Sequence, residues 1–237
     1  MIVFVKLFLA HIIGDFLLQP YSWVQDKEHK KHKSIYLYLH ILLHGALALI
    51  VINNKDFIGF AIILAITHGI IDYLKLLFQK KKTKRMWFMA DQGLHLLVIA
   101  GITWLYTLHT IDPFDCELFL DNSFWLLLTG ILFLTKPTSI LIKTIISIWT
   151  PESKNSNNHS LSDAGNYIGI LERLFVFSFI ITGHFEAIGF LLAAKSIFRF
   201  GDLKEAKDRK LTEYVLIGTL LSFGIALATG LIVIHLI

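Results

Sequence analysis

The stretch HIIGDFLLQ, residues 11–19, places His11, Asp15 and Gln19 four apart in an otherwise apolar run. Residues i and i+4 share one face of an α-helix, so a single helix there offers an imidazole and a carboxylate to the same point. Three further apolar runs carry similar pairs: His40 and His44 in LHILLH, His68 and Asp72 in HGIIDYL, and Asp91 and His95 in ADQGLH. Imidazole nitrogen with carboxylate oxygen suits zinc, iron or manganese, and helical bundles build one- or two-ion centres from such pairs on facing helices. Bound zinc or manganese would polarise a substrate oxygen and lower the pKa of a bound water, giving a hydrolytic nucleophile. On this reading the metal ligands are His11, Asp15, His44, His68, Asp72, Asp91 and His95. Asp15 and Asp72 are also catalytic candidates, and His40 is an outer ligand or proton carrier. Gln19 is a supporting group nearer the edge of its helix.

Two other readings use the same residues. They form a proton or ion pathway, or they pair with one another to hold helices together, as interhelical polar contacts do for modest energy. Each ionisable group costs roughly 2.5–3.5 kcal/mol at a membrane helix centre on insertion scales. Pairing alone is therefore an expensive reason to keep eight of them, since Ser or Asn would serve at lower cost. His29, His32, His109, His159, His184 and His235 stand outside the pattern and are assigned no chemistry.

The elements that must position these groups are apolar. Hydrophobic residues make up 55% of the 237, charged residues only 17%, and mean hydropathy is +0.63. A soluble domain is less apolar and more charged, so the composition predicts an all-α, polytopic transmembrane helical bundle. Eight spans are expected, at roughly 2–19, 34–52, 57–78, 86–108, 123–149, 166–183, 185–200 and 212–236. Lys136 and Pro137 fall near the middle of the fifth, which predicts a broken helix or a span followed by an interfacial segment. PESKNSNNHS, 151–160, is the expected flexible loop. The single cysteine, Cys116, excludes an intramolecular disulfide.

The net charge of +4 does not indicate nucleic acid, because the basic residues sit in short loops beside apolar runs. Lys27, Lys30, Lys31 and Lys33 follow the first span; Lys80, Lys81, Lys82, Lys84 and Arg85 follow the third; Lys204, Lys207, Arg209 and Lys210 follow the seventh. The alternate loops are poor in Lys and Arg. The positive-inside rule then puts the odd-numbered loops in the cytoplasm and both termini outside, in an inner (cytoplasmic) membrane.

HIIGDFL, 11–17, recurs as HGIIDYL, 68–74, and LHILLH aligns with ADQGLH, setting His40 against Asp91 and His44 against His95. This pattern predicts that residues 1–52 and 57–108 are parallel repeats about an axis along the membrane normal, bringing both HxxxD helices to one site. Three regions are expected: 1–108 with the His/Asp set, 109–165 with the fifth span and loop, and 166–237. The last carries a second constellation: Glu172 and Arg173 in one span, Lys195 and Arg199 four apart in the next, and Glu213 at the edge of the last. It reads either as ion pairs and snorkelling cations or as an anion cradle of Arg173, Lys195 and Arg199, with Glu172 and Glu213 supporting.

HIIGDFLLQ, the DQGLH of span four, IGILERL, AAKSIFRF and EYVLIGTLLS, taken in order, resemble the bacterial membrane family known as domain of unknown function 3307 and the region that commonly follows it. The resemblance covers nearly the whole chain and implies a bacterial integral membrane protein; it supplies no activity. Ligand types in helices also give a looser likeness to membrane-bound metal-dependent hydrolases and to the seven-span lipid hydrolases related to alkaline ceramidase, without a shared motif string. The resulting expectation is a metal-dependent hydrolase or transferase, with zinc or manganese, acting on a lipid or phosphorylated substrate from the cytoplasmic leaflet. The rival expectations are a proton- or metal-ion-coupled transporter and a non-catalytic membrane partner or sensor.

Overall fold

Apolar runs with few breakers dictate helices, and among the described residues every regular element is helical. The computed structural model describes residues 1–109, 121–149, 159–200 and 209–237, and the side chains among them except those of 159–163, 198–200 and 209–211. Cys116 and the 151–158 part of the expected loop lie outside the described residues; His159 and Ser160, expected in that loop, already belong to a helix. The chain divides into two units, Met1–Trp125 and Leu126–Ile237.

The first unit contains α1 (Ile2–Ile12), a π-helical turn (Ile13–Leu17), α2 (Tyr21–Lys30), α3 (Ile35–Ile52), α4 (Ile58–Phe78) and α5 (Lys84–His109). α1 packs on α3, α3 on α4, α4 on α5 and α5 back on α1, closing a ring of four helices. The run expected to end at residue 19 ends sooner. The helical backbone stops at Leu17, and the chain turns by 83° before α2. The cause is Pro20, whose backbone is extended (φ −67, ψ 151) and which lacks the N–H needed to continue a helix. What the sequence presents as a lysine-rich loop is therefore largely α2. Ser34, the N-cap of α3, is tied to that helix by donating to Asp26 Oδ2 at 2.6 Å. Asp26 lies outside the apolar spans, and its carboxyl is held below the ordinary range by the Lys30 ammonium and then by Ser34.

The second unit contains the rest of α6 (Asn122–Phe133) after its first residues, then α7 (Lys136–Ile146), α8 (His159–Ile181), α9 (Phe185–Phe200) and α10 (Arg209–Leu236). α6 and α7 meet at a 42° bend. Pro137 sits in the first turn of α7, where its missing N–H costs nothing. Gly183, at φ +79, makes the turn between α8 and α9. α10 runs along α8, and glycine lets them approach: a Cβ on Gly230 would lie 2.7 Å from Ile180 Cδ1.

Five helices are long and apolar enough to cross a membrane: Ile35–Ile52, Lys55–Phe78, Lys81–His109, Ala164–Ile181 and Thr212–Leu236. The two bent pairs raise the number to seven if each is one span, and α9, at 16 residues, falls short. The surface of these helices is apolar, with Leu42, Ile62, Leu97, Trp104 and Leu220 all more than half exposed. The polar groups are inside, an inversion that fits a lipid surround and not water.

Candidate metal centre

The four-helix ring of the first unit places its ionisable side chains inward. His11 comes from α1, Asp15 from the π-helical turn, His40 and His44 from α3, His68 and Asp72 from α4, and Asp91 and His95 from α5. His11, His40, His44, His68, Asp72, Asp91 and His95 are buried, and the Asp15 side chain is 11% exposed. All eight groups converge.

Asp15 is at the centre. Its Oδ1 lies 3.0 Å from His44 Nε2, 3.1 Å from His40 Nε2 and 3.6 Å from His68 Nε2. Its Oδ2 is 3.7 Å from His11 Nε2. His40 Nε2 and His68 Nε2 are 3.1 Å apart. A tetrahedral ion with bonds of about 2.0–2.1 Å has ligand atoms about 3.3 Å apart, so these separations bracket that edge. His11, Asp15, His44 and His68 offer ligand atoms within 4.8 Å of one another. Two smaller groups meet the same limit, His40 with His68 and Asp72, and Asp72 with Asp91 and His95. The His44 and His68 rings stack at 3.6 Å, and His68 and His95 at 4.1 Å.

Close packing fixes this arrangement. A Cβ on Gly14 would lie 2.6 Å from both Cε1 and Nε2 of His44, so only glycine lets the π-helical turn meet that imidazole. Gly14→Ala should destabilise the protein by about 1–3 kcal/mol through overpacking. Thermal unfolding in detergent, beside Gly101→Ala, where nothing lies within 4 Å, reads this. Equal midpoints would show that the contact yields freely.

Three residues of the cluster were not among the ligands or catalytic groups expected from the sequence. Lys27 Nζ, from α2, reaches in to donate to Asp72 Oδ2 at 2.7 Å, with both groups buried. Lys75 Nζ donates to Asp91 Oδ2 at 2.7 Å. Gln92 Nε2 donates to Asp15 Oδ2 at 3.1 Å and to Asp91 Oδ2 at 3.2 Å, and its Oε1 is 3.2 Å from His11 Nε2. Lys75 was legible in principle, since 68, 72 and 75 share a helix face. Lys27 was not, because only the bend at Pro20 returns it to the bundle.

These contacts sort the carboxylates. Asp72 and Asp91 each have an ammonium partner; Asp15 has imidazoles and an amide. Three carboxylates against two ammonium groups leave Asp15 as the carboxylate without an ammonium partner among the described residues of the cluster. A buried charge needs a counter-charge, which a cation held by these imidazoles would supply. Asp91 Oδ1 and His95 Nε2, 3.5 Å apart, are buried with no hydrogen-bond partner among the described residues, as are His40 Nδ1 and Gln19 Nε2. Gln19 lies just beyond the π-helical turn and contributes no described contact to the cluster.

The second constellation lies in the other unit. Arg173 is buried, and its guanidinium donates to the Leu134 and Thr135 carbonyls and to the Ser139 and Ser222 hydroxyls. Lys195 Nζ donates to Glu172 Oε2 at 2.5 Å. Glu213 is exposed near the start of α10, and the Arg199 side chain lies outside those described.

No curated protein and no solved structure matches the chain. Residues 3–115 match the model of the family described as "Protein of unknown function (DUF3307)", a stretch that takes in α1 to α5 and with them every side chain of this centre.

Proposed function

We propose that this is an integral membrane protein whose first unit holds a divalent metal ion, zinc or manganese, and that it acts as a hydrolase or transferase on a lipid or phosphorylated substrate from the cytoplasmic leaflet. The observation that carries the metal is Asp15: a nearly buried carboxylate without an ammonium partner among the described residues, with four imidazole Nε2 atoms within 3.7 Å. Such an ion, when bound, polarises a substrate oxygen and acidifies water. The chain's residues do the rest. His11, His44, His68 and Asp15 hold the ion, and Gln92 orients Asp15 by donating to Oδ2. His40, 3.1 Å from Asp15 Oδ1, is placed to carry a proton. Asp72, Asp91 and His95 form a neighbouring three-ligand group in which each carboxylate keeps Oδ1 free of its lysine.

The chain crosses the membrane about eight times, with the lysine-rich segments in the cytoplasm and both termini outside. Residues 1–52 and 57–108 are parallel repeats. The convergence of the His11/Asp15 and His68/Asp72 faces supports this reading, as does the spacing of Lys and Arg between apolar runs.

Elemental analysis of the detergent-purified full chain tests the metal. Near-stoichiometric zinc or manganese is expected in the wild type and its loss in His68→Ala. A His68→Ala protein with full metal content would overturn the ligand assignment. A metal-free wild type, even after reconstitution, would instead favour a proton-linked carrier. The two lysine–aspartate pairs inside the bundle are the feature which that second reading would use.

A further inference from the structure

The second unit has a groove between α7, α8 and α10, lined among others by Lys143, Asn166, Arg173, Lys195, Tyr214 and Thr219. Its electrostatics are the reverse of the metal centre's. Three cations, Lys143, Arg173 and Lys195, face one carboxylate, Glu172, among the described lining residues. Glu172 is already bonded to Lys195. Arg173 is 3% exposed, and its hydrogen bonds go to carbonyls and hydroxyls, all of them neutral. Among the described residues Glu172 is shared between Lys195 and this buried guanidinium, which leaves the positive charge incompletely compensated.

The guanidinium is also incompletely used among the described residues. Of its five N–H donors, Nε gives one, Nη1 one and Nη2 two to the partners above. The fifth is on Nη1, which lies 3.4 Å from where a Cβ on Gly169 would stand. Gly169 and Arg173 both line the groove, so glycine there leaves Nη1 without a covering side chain on that side. Beside it, a Cβ on Gly165 would meet nothing within 4 Å, so the wall of α8 leaves space. Ile142, Ile146 and Val215 make the opposite lining apolar. Lys143 stands on the rim and is exposed.

We propose that this groove binds a phosphoryl anion, with the free Nη1 donor of Arg173 at its floor and Lys143 closing over it. Arginine and lysine are the side chains that recognise phosphoryl oxygens, and the apolar lining leaves room for a hydrocarbon chain beside the anion. The shared chemistry is the phosphoryl group, whether on a lipid headgroup or free. Nothing in this depends on the metal proposed for the first unit.

The test uses the full chain in detergent, stripped of metal by a chelator, with dioctanoyl phosphatidic acid and inorganic phosphate as separate probes in a calorimetric titration. Lys143→Glu, at an exposed position, should leave the unfolding midpoint unchanged and weaken binding by about tenfold or more. Glu172→Gln should release Lys195 toward the ligand and tighten it. Saturable phosphatidic acid binding that inorganic phosphate fails to displace would identify the lipid source. Equal affinity for inorganic phosphate, with the same dependence on Lys143, would identify the free anion. Failure of both probes to bind, or binding indifferent to Lys143→Glu, overturns the proposal.

Discussion

Asp15→Asn is expected to lower the affinity of the purified protein for zinc or manganese by more than a hundredfold. Removing a group that merely supports a ligand costs roughly 10–100-fold, and Asp15 is the proposed ligand itself. Asparagine keeps the size of the side chain and one acceptor oxygen, so Gln92 can still donate to it and the ring of helices stays closed. What it removes is the one carboxylate charge of the cluster that no lysine balances among the described residues. Asp91→Asn is the informative comparison. It leaves Lys75 without its carboxylate and should perturb stability more than the affinity of the ion at Asp15. Competition against a metal-sensitive dye gives both affinities. If Asp15→Asn binds as tightly as the wild type, Asp15 is not a ligand.

Lys27→Met is expected to destabilise the protein by about 3–5 kcal/mol, because it leaves Asp72 charged, buried and without its ammonium partner. Lys27→Met with Asp72→Asn should recover most of that loss, since removing both members of a buried pair avoids the isolated charge. The recovery separates a charge effect from simple loss of packing by the lysine stem. Because Lys27 is carried by α2, the single variant should also free that helix, exposing its lysines to trypsin before the rest of the chain. A double variant no more stable than the single one would mean that the pair contributes through shape alone.

The i, i+4 pairs were visible in the sequence because helix periodicity alone puts each pair on one face. Their convergence followed from having four such helices, with no need to know how those helices are joined. The groups that balance the cluster were hidden for the opposite reason. Lys27 reads as one of several loop lysines until Pro20 bends the chain by 83°, and nothing local in YSWVQDKEHK says that position 27 turns inward. Gln92 was masked by its neighbour Asp91, which carried the more obvious chemistry. The π-helical turn could not be read either. It is a five-residue change in hydrogen-bond pattern, marked by Leu18 N–H donating to the Ile13 carbonyl at 2.9 Å, within a run whose apolar character is the same for both helix types. Such turns are frequent at functional sites, and here it holds Asp15.

In the second unit the break at Lys136 and Pro137 was legible, because proline forces it. The side chain that answers the break was not. Arg173 is 39 and 38 positions from the carbonyls of Leu134 and Thr135, and its charge suggested a ligand before it suggested a backbone clamp.

That clamp bears on how the chain is made. A carbonyl released by a helix break has no water to turn to in hydrocarbon. α6 and α7 are synthesised before α8, so the Leu134 carbonyl emerges without the Arg173 Nε–H that meets it in the finished protein, whereas the Thr135 carbonyl already accepts from the Ser139 N–H at 3.2 Å. On the membrane reading proposed above, the bent α6–α7 pair therefore carries an unmet carbonyl until Arg173 arrives. Entry of α8 would deliver a buried cation and the missing donor in one event, and would couple its insertion to that of α6 and α7.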